Sequence, residues 1–191
     1  MHCFNKIFLS LLLEFTCQEK LHIVLLLDSS DYVTSKEWNE FKQFAANFIK
    51  RFNRDSVDID IVSIGSRVEL IESLDNADQL KGSRYLTGGF MMAQRLLEAS
   101  TARRIVLSVT ARLHGSTTTD GNLQNVLQNL KSTDVDMMSV LLDSSGKHNG
   151  LSEEYRKFTS KPFGKNLFKI AGSSSLKRIS EVLSRAACRS A

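Results

Sequence analysis

From Leu21 to Leu27 the chain is apolar except at His22, and the run stops abruptly at Asp28, Ser29, Ser30 and Asp31. An unbroken run of this length fits a strand covered on both faces, as at the centre of a parallel sheet. Thr34 and Glu37 then have the spacing of a capping box. The helix they open extends to about Phe52, with Trp38, Phe41, Ala45, Phe48 and Phe52 on one stripe and Phe44 and Ile49 beside it. Such a stripe serves packing against a sheet.

Val57 to Val62 alternates apolar and acidic residues, Gly65-Ser66 marks a turn, and Val68, Leu70 and Ile71 continue the extended pattern. The two pieces form a hairpin, one strand of which is an antiparallel edge with Asp58 and Asp60 guarding a solvent-facing side. Asn76 to Ser83 is polar and holds at most one or two helical turns. Tyr85 to Gly89 has the composition of a loop, and Phe90 to Ala99 that of a helix offering Met91, Met92, Leu96 and Leu97 to the core. Ile105 to Val109 and Val135 to Leu142 are further buried strands, separated by a polar loop over 110–119 and a helix from Asp120 to Lys131. A polar loop over 143–150 and a short helix within 151–159 precede a last strand, Leu167 to Ile170. The closing helix spans Ser175 to Cys188, with Leu176, Ile179, Val182 and Leu183 as its stripe.

Strands and helices alternating in this way predict an α/β fold: a three-layer, doubly wound, mostly parallel central sheet with one antiparallel edge strand and helices on both faces. The polar tip at Asp28 then lies at the carboxyl end of a central strand, where open α/β sheets hold their ligands. Asp28, Ser29, Ser30 and Asp31 offer several hard oxygen ligands, suited to a divalent cation. The same residue types equally suit a plain strand-to-helix turn.

With 191 residues, 42% of them apolar, the chain fits one domain with one sizeable core. The net charge of +4 is spread along the chain, and no dense basic run singles out nucleic acid as a partner. Residues 1–16 carry a lysine and a histidine ahead of an apolar stretch, Ile7 to Leu13, the layout of a secretory signal peptide. The stretch is too short to span a membrane. Cys3 would leave with such a leader. Cys17 and Cys188 flank the predicted domain, whose ends should lie close together, so a Cys17–Cys188 disulfide is expected, in keeping with an oxidising compartment. Signatures of enzymatic phosphate loops, dinucleotide sites and nucleophile elbows are missing, and none of His2, His22, His114 and His148 is spaced to activate a nucleophile. No catalytic residues are expected.

Taken together, the HIVLLLDSS strand and tip, the aromatic first helix, the strand pair, Leu86-Thr87-Gly88-Gly89, the IVLSVTA strand and the closing helix resemble a von Willebrand factor type A domain over residues 21–187. Among extracellular members, the chain is similar to the N-terminal A modules of collagen VI-like chains. The resemblance implies a Rossmann-like fold and a metal-ion-dependent adhesion site (MIDAS) at the carboxyl edge of the sheet. Its pattern is Asp-x-Ser-x-Ser in a first loop, Thr in a second and Asp in a third. Asp28 and Ser30 match the first two positions and Thr87 matches the second-loop Thr. Tyr32 stands in place of the last Ser, and Ala111 in place of the third-loop Asp, with Arg112 next to it. The set is therefore degenerate: binding of Mg2+ or Mn2+ should be weak or absent, and no cofactor is firmly implied. The segment before Thr87 is also shorter than in the family, so one helix is expected to be missing.

The resemblance implies a non-enzymatic, secreted module that binds extracellular matrix or cell-surface proteins. One alternative is glycosaminoglycan binding through Arg103, Arg104, Arg112, Lys177, Arg178, Arg185 and Arg189, for which the plainer account is a solvated surface. Another is an intracellular A-domain subunit of a multiprotein assembly, should the leader not be cleaved.

Overall fold

The run from Leu21 forms the central strand of a six-stranded sheet. This is seen in a computed structural model that describes residue 17 and residues 19–111, 121–142, 155–172 and 175–188. The expected leader, residues 112–119 of the loop expected over 110–119, and the loop expected over 143–150 lie outside the described residues, as does the start of the short helix expected within 151–159; Thr110 and Ala111 belong to a strand rather than to that loop. Residues 155–157 are helical.

β1 (Leu21–Asp28) pairs in parallel with β2 (Val57–Ile64) on one side and β4 (Arg103–Ala111) on the other. β3 (Val68–Leu70) adds an antiparallel edge to β2. On the other side β4 is followed by β5 (Val135–Leu142) and β6 (Leu167–Ile170), both parallel. The order β3-β2-β1-β4-β5-β6 is that of a doubly wound sheet. The chain leaves β1 toward one edge and returns to enter β4 on the far side of β1. The sheet's switch point thus falls between β1 and β4.

The side-chain alternation of β1 is hidden in the sequence because both of its faces are covered. Leu21, Ile23, Leu25 and Leu27 face the layer holding α1 (Ser35–Ile49), while Val24 and Leu26 face the layer holding α2 (Leu86–Glu98) and α3 (Gly121–Ser132). His22 is the exception. Its Nε2 lies 2.8 Å from Oδ2 of Asp60 on β2, so the one polar residue of the run is paired across to the next strand. Asp60 is therefore taken up by His22, and only Asp58 of the two aspartates is exposed. The edge strand itself is β3.

α1 begins with the expected capping box. Thr34 Oγ1 accepts from the Glu37 amide at 3.2 Å, and Glu37 Oε2 accepts from the Thr34 amide at 2.8 Å. The helix ends at Ile49, short of Phe52, yet Phe52 stays buried and meets Phe48 edge to face, with ring centroids 4.9 Å apart. Full burial of aromatic side chains such as Phe41, Phe44 and Phe48 contributes about 2–3 kcal/mol each.

Three local expectations are corrected. Tyr85 to Gly89 is not a loop, because α2 starts at Leu86. Its two glycines permit close packing: a Cβ on Gly89 would come within 2.4 Å of Ile64 Cδ1, and one on Gly88 within 2.4 Å of the Tyr85 ring. Met91, on the same helix, is exposed rather than in the core. In the closing helix, after the short α4 (Phe163–Asn166), α5 (Leu176–Ala187) is turned so that Val182 faces solvent. Ser180, Ser184 and Ala187 are buried beside Leu176 and Leu183. The buried hydroxyls donate back to helix carbonyls, Ser180 Oγ to Lys177 at 2.8 Å and Ser184 Oγ to Ser180 at 2.7 Å, which satisfies them at little cost. Small side chains there let α5 lie close against α1. No helix forms between β3 and α2, in agreement with the shortened segment read from the sequence.

Candidate functional site

β1 ends at Asp28, beside the switch point and fully buried. The chain turns at once. Both the amide and the hydroxyl of Ser30 donate to Asp28 Oδ1, at 3.1 and 2.6 Å, closing an Asx-type turn. The Ser30 hydroxyl also accepts from the Tyr32 amide at 3.4 Å. Ser29 ties the same turn to β2: its hydroxyl donates to the Ile64 carbonyl at 3.0 Å and accepts from Ser63 Oγ at 2.7 Å. The turn reading of these residues and the ligand reading thus concern the same atoms.

The segment that returns from the sheet edge is stitched onto this turn. Lys81 donates its amide to the Ser29 carbonyl at 2.9 Å, and Asp31 donates its amide to the Gly82 carbonyl at 3.0 Å. Gln79 Nε2 donates to the carbonyls of Val33 at 2.7 Å and Ser30 at 3.2 Å. Lys81 and Gly82 both adopt left-handed backbone, with φ of 57° and 70°. A glycine suits the second position on two counts, since a Cβ there would also press to 2.7 Å from Ser66 Cβ.

This reversal delivers Arg84 to the end of β1. Its Nη2 lies 2.6 Å from Asp28 Oδ2 and donates to the Ala111 carbonyl, also at 2.6 Å. Its guanidinium carbon sits 4.9 Å from the centre of the Tyr32 ring. The two charged side chains are almost sealed from water, at 1% exposure for Asp28 and 4% for Arg84. A planar guanidinium can bind a carboxylate along its edge while an aromatic ring covers its face. A buried carboxylate without a countercharge would be very costly, and Arg84 supplies that charge.

Of the residues expected to form the site, Asp28 and Ser30 are in direct contact. Thr87 is buried in the first turn of α2, one turn beyond Arg84, so the same segment carries it to this end of the sheet. The arrangement does not fit a divalent cation, which takes near-octahedral oxygen coordination. Asp28 Oδ1 accepts twice from Ser30, and Oδ2 faces a guanidinium. Tyr32 turns its ring to the Arg84 guanidinium, and Ala111 brings only a backbone carbonyl, which accepts from Arg84. Among the described residues there is no cluster of three or more His, Cys, Asp or Glu side chains able to hold a metal. Arg84 is the residue that inspection of the sequence passed over. Its signal was there: a basic residue just ahead of Thr87 in a chain that lacks an acidic one at Ala111.

At the opposite end of the sheet Cys17 and Cys188 form a disulfide, with a Cα–Cα distance of 4.8 Å. Several of the basic residues considered for glycosaminoglycan are engaged internally. Arg103 bonds Asp136 through Nε at 3.0 Å and the Ala187 carbonyl through Nη1 at 3.0 Å, Arg104 bonds the Thr133 carbonyl, and Arg185 pairs with Glu181 at 2.7 Å. Lys177 and Arg178 are exposed, while Arg112 and Arg189 lie outside the described residues. No helix among the described residues is long and apolar enough to cross a membrane.

Residues 22–182 match the von Willebrand factor type A domain family. Comparison with curated proteins finds no match. Solved structures similar to this chain include proximal thread matrix protein 1 from the mussel byssus, at TM-score 0.68 and 15% identity over 91% of this chain and 48% of that one. A structure of the same mussel protein with a zinc-occupied MIDAS motif is similar at TM-score 0.69 and 16% identity, over 88% of this chain and 46% of that one. At such identities the likeness is one of fold, and this chain spans about half the length of the mussel protein.

Proposed function

The chain belongs to the von Willebrand factor type A family, and on that premise we propose that it is a secreted, non-enzymatic module that binds matrix or cell-surface proteins without a bridging metal. Asp28, Ser30 and Thr87 are then the remnant of a metal-ion-dependent adhesion site, in which Asp28 is held by hydrogen bonds from Ser30 and an ion pair with Arg84. The observation that carries this reading is the seat of Arg84, which neutralises Asp28 from inside the protein. A partner's carboxylate would find no accessible cation to bind there.

Tyr32 and Tyr85, exposed at 40% and 50%, offer contact area at the same end of the sheet. Aromatic side chains of this kind are enriched where proteins meet. The Cys17–Cys188 disulfide suits an oxidising, extracellular setting. The fold likeness to a thread matrix protein supports a matrix role.

The test has two parts. The full chain is expressed in secreting cells and the medium is assayed; the product is then sequenced from its N-terminus and tested against immobilised matrix proteins with and without EDTA. The expected outcome is a secreted product, processed upstream of Cys17, whose binding is unchanged by EDTA. Retention inside the cell, or binding that EDTA abolishes, would overturn the proposal.

A further inference from the structure

We infer that Arg84 is a built-in substitute for a divalent ion: a fixed monovalent cation that holds the site together and shuts metal out. The inference deepens the proposed function but stands on the ion pair alone, and its test measures metal rather than partner binding. Failure of one therefore leaves the other standing.

Geometry is the first support. One guanidinium touches Asp28 at the end of β1, Tyr32 in the loop after it and the Ala111 carbonyl at the end of β4. These are the matched Asp and the two substituted positions of the adhesion-site pattern. The arginine thus connects the segments that a shared ion would otherwise connect, and it does so at the switch point of the sheet.

Charge is the second support. A divalent ion between two carboxylates is balanced. Here one carboxylate is gone at Ala111, and the single positive charge of Arg84 balances the single negative charge of Asp28. Replacing acid and metal together keeps the buried site neutral, whereas either change alone would leave a net charge out of water. Arg84 is covalently part of the chain, so this cation cannot dissociate or follow the ion concentration of the medium.

The path of the chain is the third. The left-handed turn at Lys81 and Gly82 and the amide bonds of Lys81 and Asp31 aim the segment inward. The guanidinium is placed by backbone structure and does not depend on a surface side chain finding a partner.

The experiment titrates MnCl2 into the EDTA-treated full chain, by calorimetry and by thermal unfolding, for the wild type, Arg84→Ala, and Arg84→Ala combined with Asp28→Asn. The wild type is expected to give no binding heat and no change in Tm up to millimolar Mn2+. Arg84→Ala should unfold at lower temperature in EDTA and gain about 5 °C or more in millimolar Mn2+, because ligand that binds only the folded state stabilises it. Its affinity for Mn2+ should exceed the wild type's by at least about tenfold, and the double variant should show no such gain. Should Arg84→Ala not fold, Arg84→Gln, which keeps an amide donor without the charge, is held to the same outcomes. Micromolar Mn2+ binding by the wild type, lost in Asp28→Asn, overturns the inference. So does a folded, neutral variant at Arg84 that remains indifferent to Mn2+.

Discussion

Two arginine–aspartate pairs sit at opposite ends of one sheet. At the carboxyl end Asp28 and Arg84 meet at 2.6 Å with almost no exposure. At the amino end Arg103 and Asp136 meet at 2.5 Å, but their side chains are 21% and 38% exposed. Water and dissolved salt weaken the second pair and can stand in for either partner. Neither can reach the first. The buried pair is thus an obligation: each partner is tolerable only because the other is present. The open pair is an addition to an end already closed by the Cys17–Cys188 disulfide, since Arg103 also bonds the carbonyl of Ala187, next to Cys188. Identical chemistry therefore organises a site at one end and reinforces a seam at the other.

The sharpest way to break this contrast is Asp28→Ala, which leaves Arg84 charged in a dry setting. The expected cost is about 3–5 kcal/mol in urea unfolding, nearly unaffected by added NaCl. At the other end, replacing both Cys17 and Cys188 by serine opens a loop closed across 171 residues. The expected cost is about 2–5 kcal/mol by the same measurement, and the wild type in reductant should approach the variant. The smallest effect is expected from Arg103→Ala, about 1 kcal/mol, shrinking in about 1 M NaCl as the pair is screened. If Arg103→Ala proved as costly and as salt-insensitive as Asp28→Ala, burial would not be what separates the two ends.

Much of this was legible along the chain. The strand run at Leu21, the capping box at Thr34 and Glu37, and the placement of Cys17 and Cys188 at the two ends of the domain each rest on local pattern or on the general closeness of termini. Where local pattern misled, a tertiary neighbour was responsible. Gly88 and Gly89 looked like a loop; they lie in a helix, and glycine stands there because Ile64 and the Tyr85 ring leave no room for a side chain. Val182 looked like core, and is exposed because α5 turns its serines inward, where a helix can satisfy their hydroxyls through its own carbonyls.

By itself, the sequence determined the layers and the strand that lies at their centre, and it put Tyr32 and Ala111 where the family pattern has Ser and Asp. Periodicity and residue chemistry are properties of neighbours in the chain, and they survive folding. Only the tertiary structure decided what stands beside Asp28. Arg84 reaches Asp28 through a chain reversal at Lys81 and Gly82 and through backbone bonds to a distant turn. No spacing rule encodes such a meeting. It follows from the cost of burying a carboxylate without its countercharge, which is felt only once the strand end has been closed off from water.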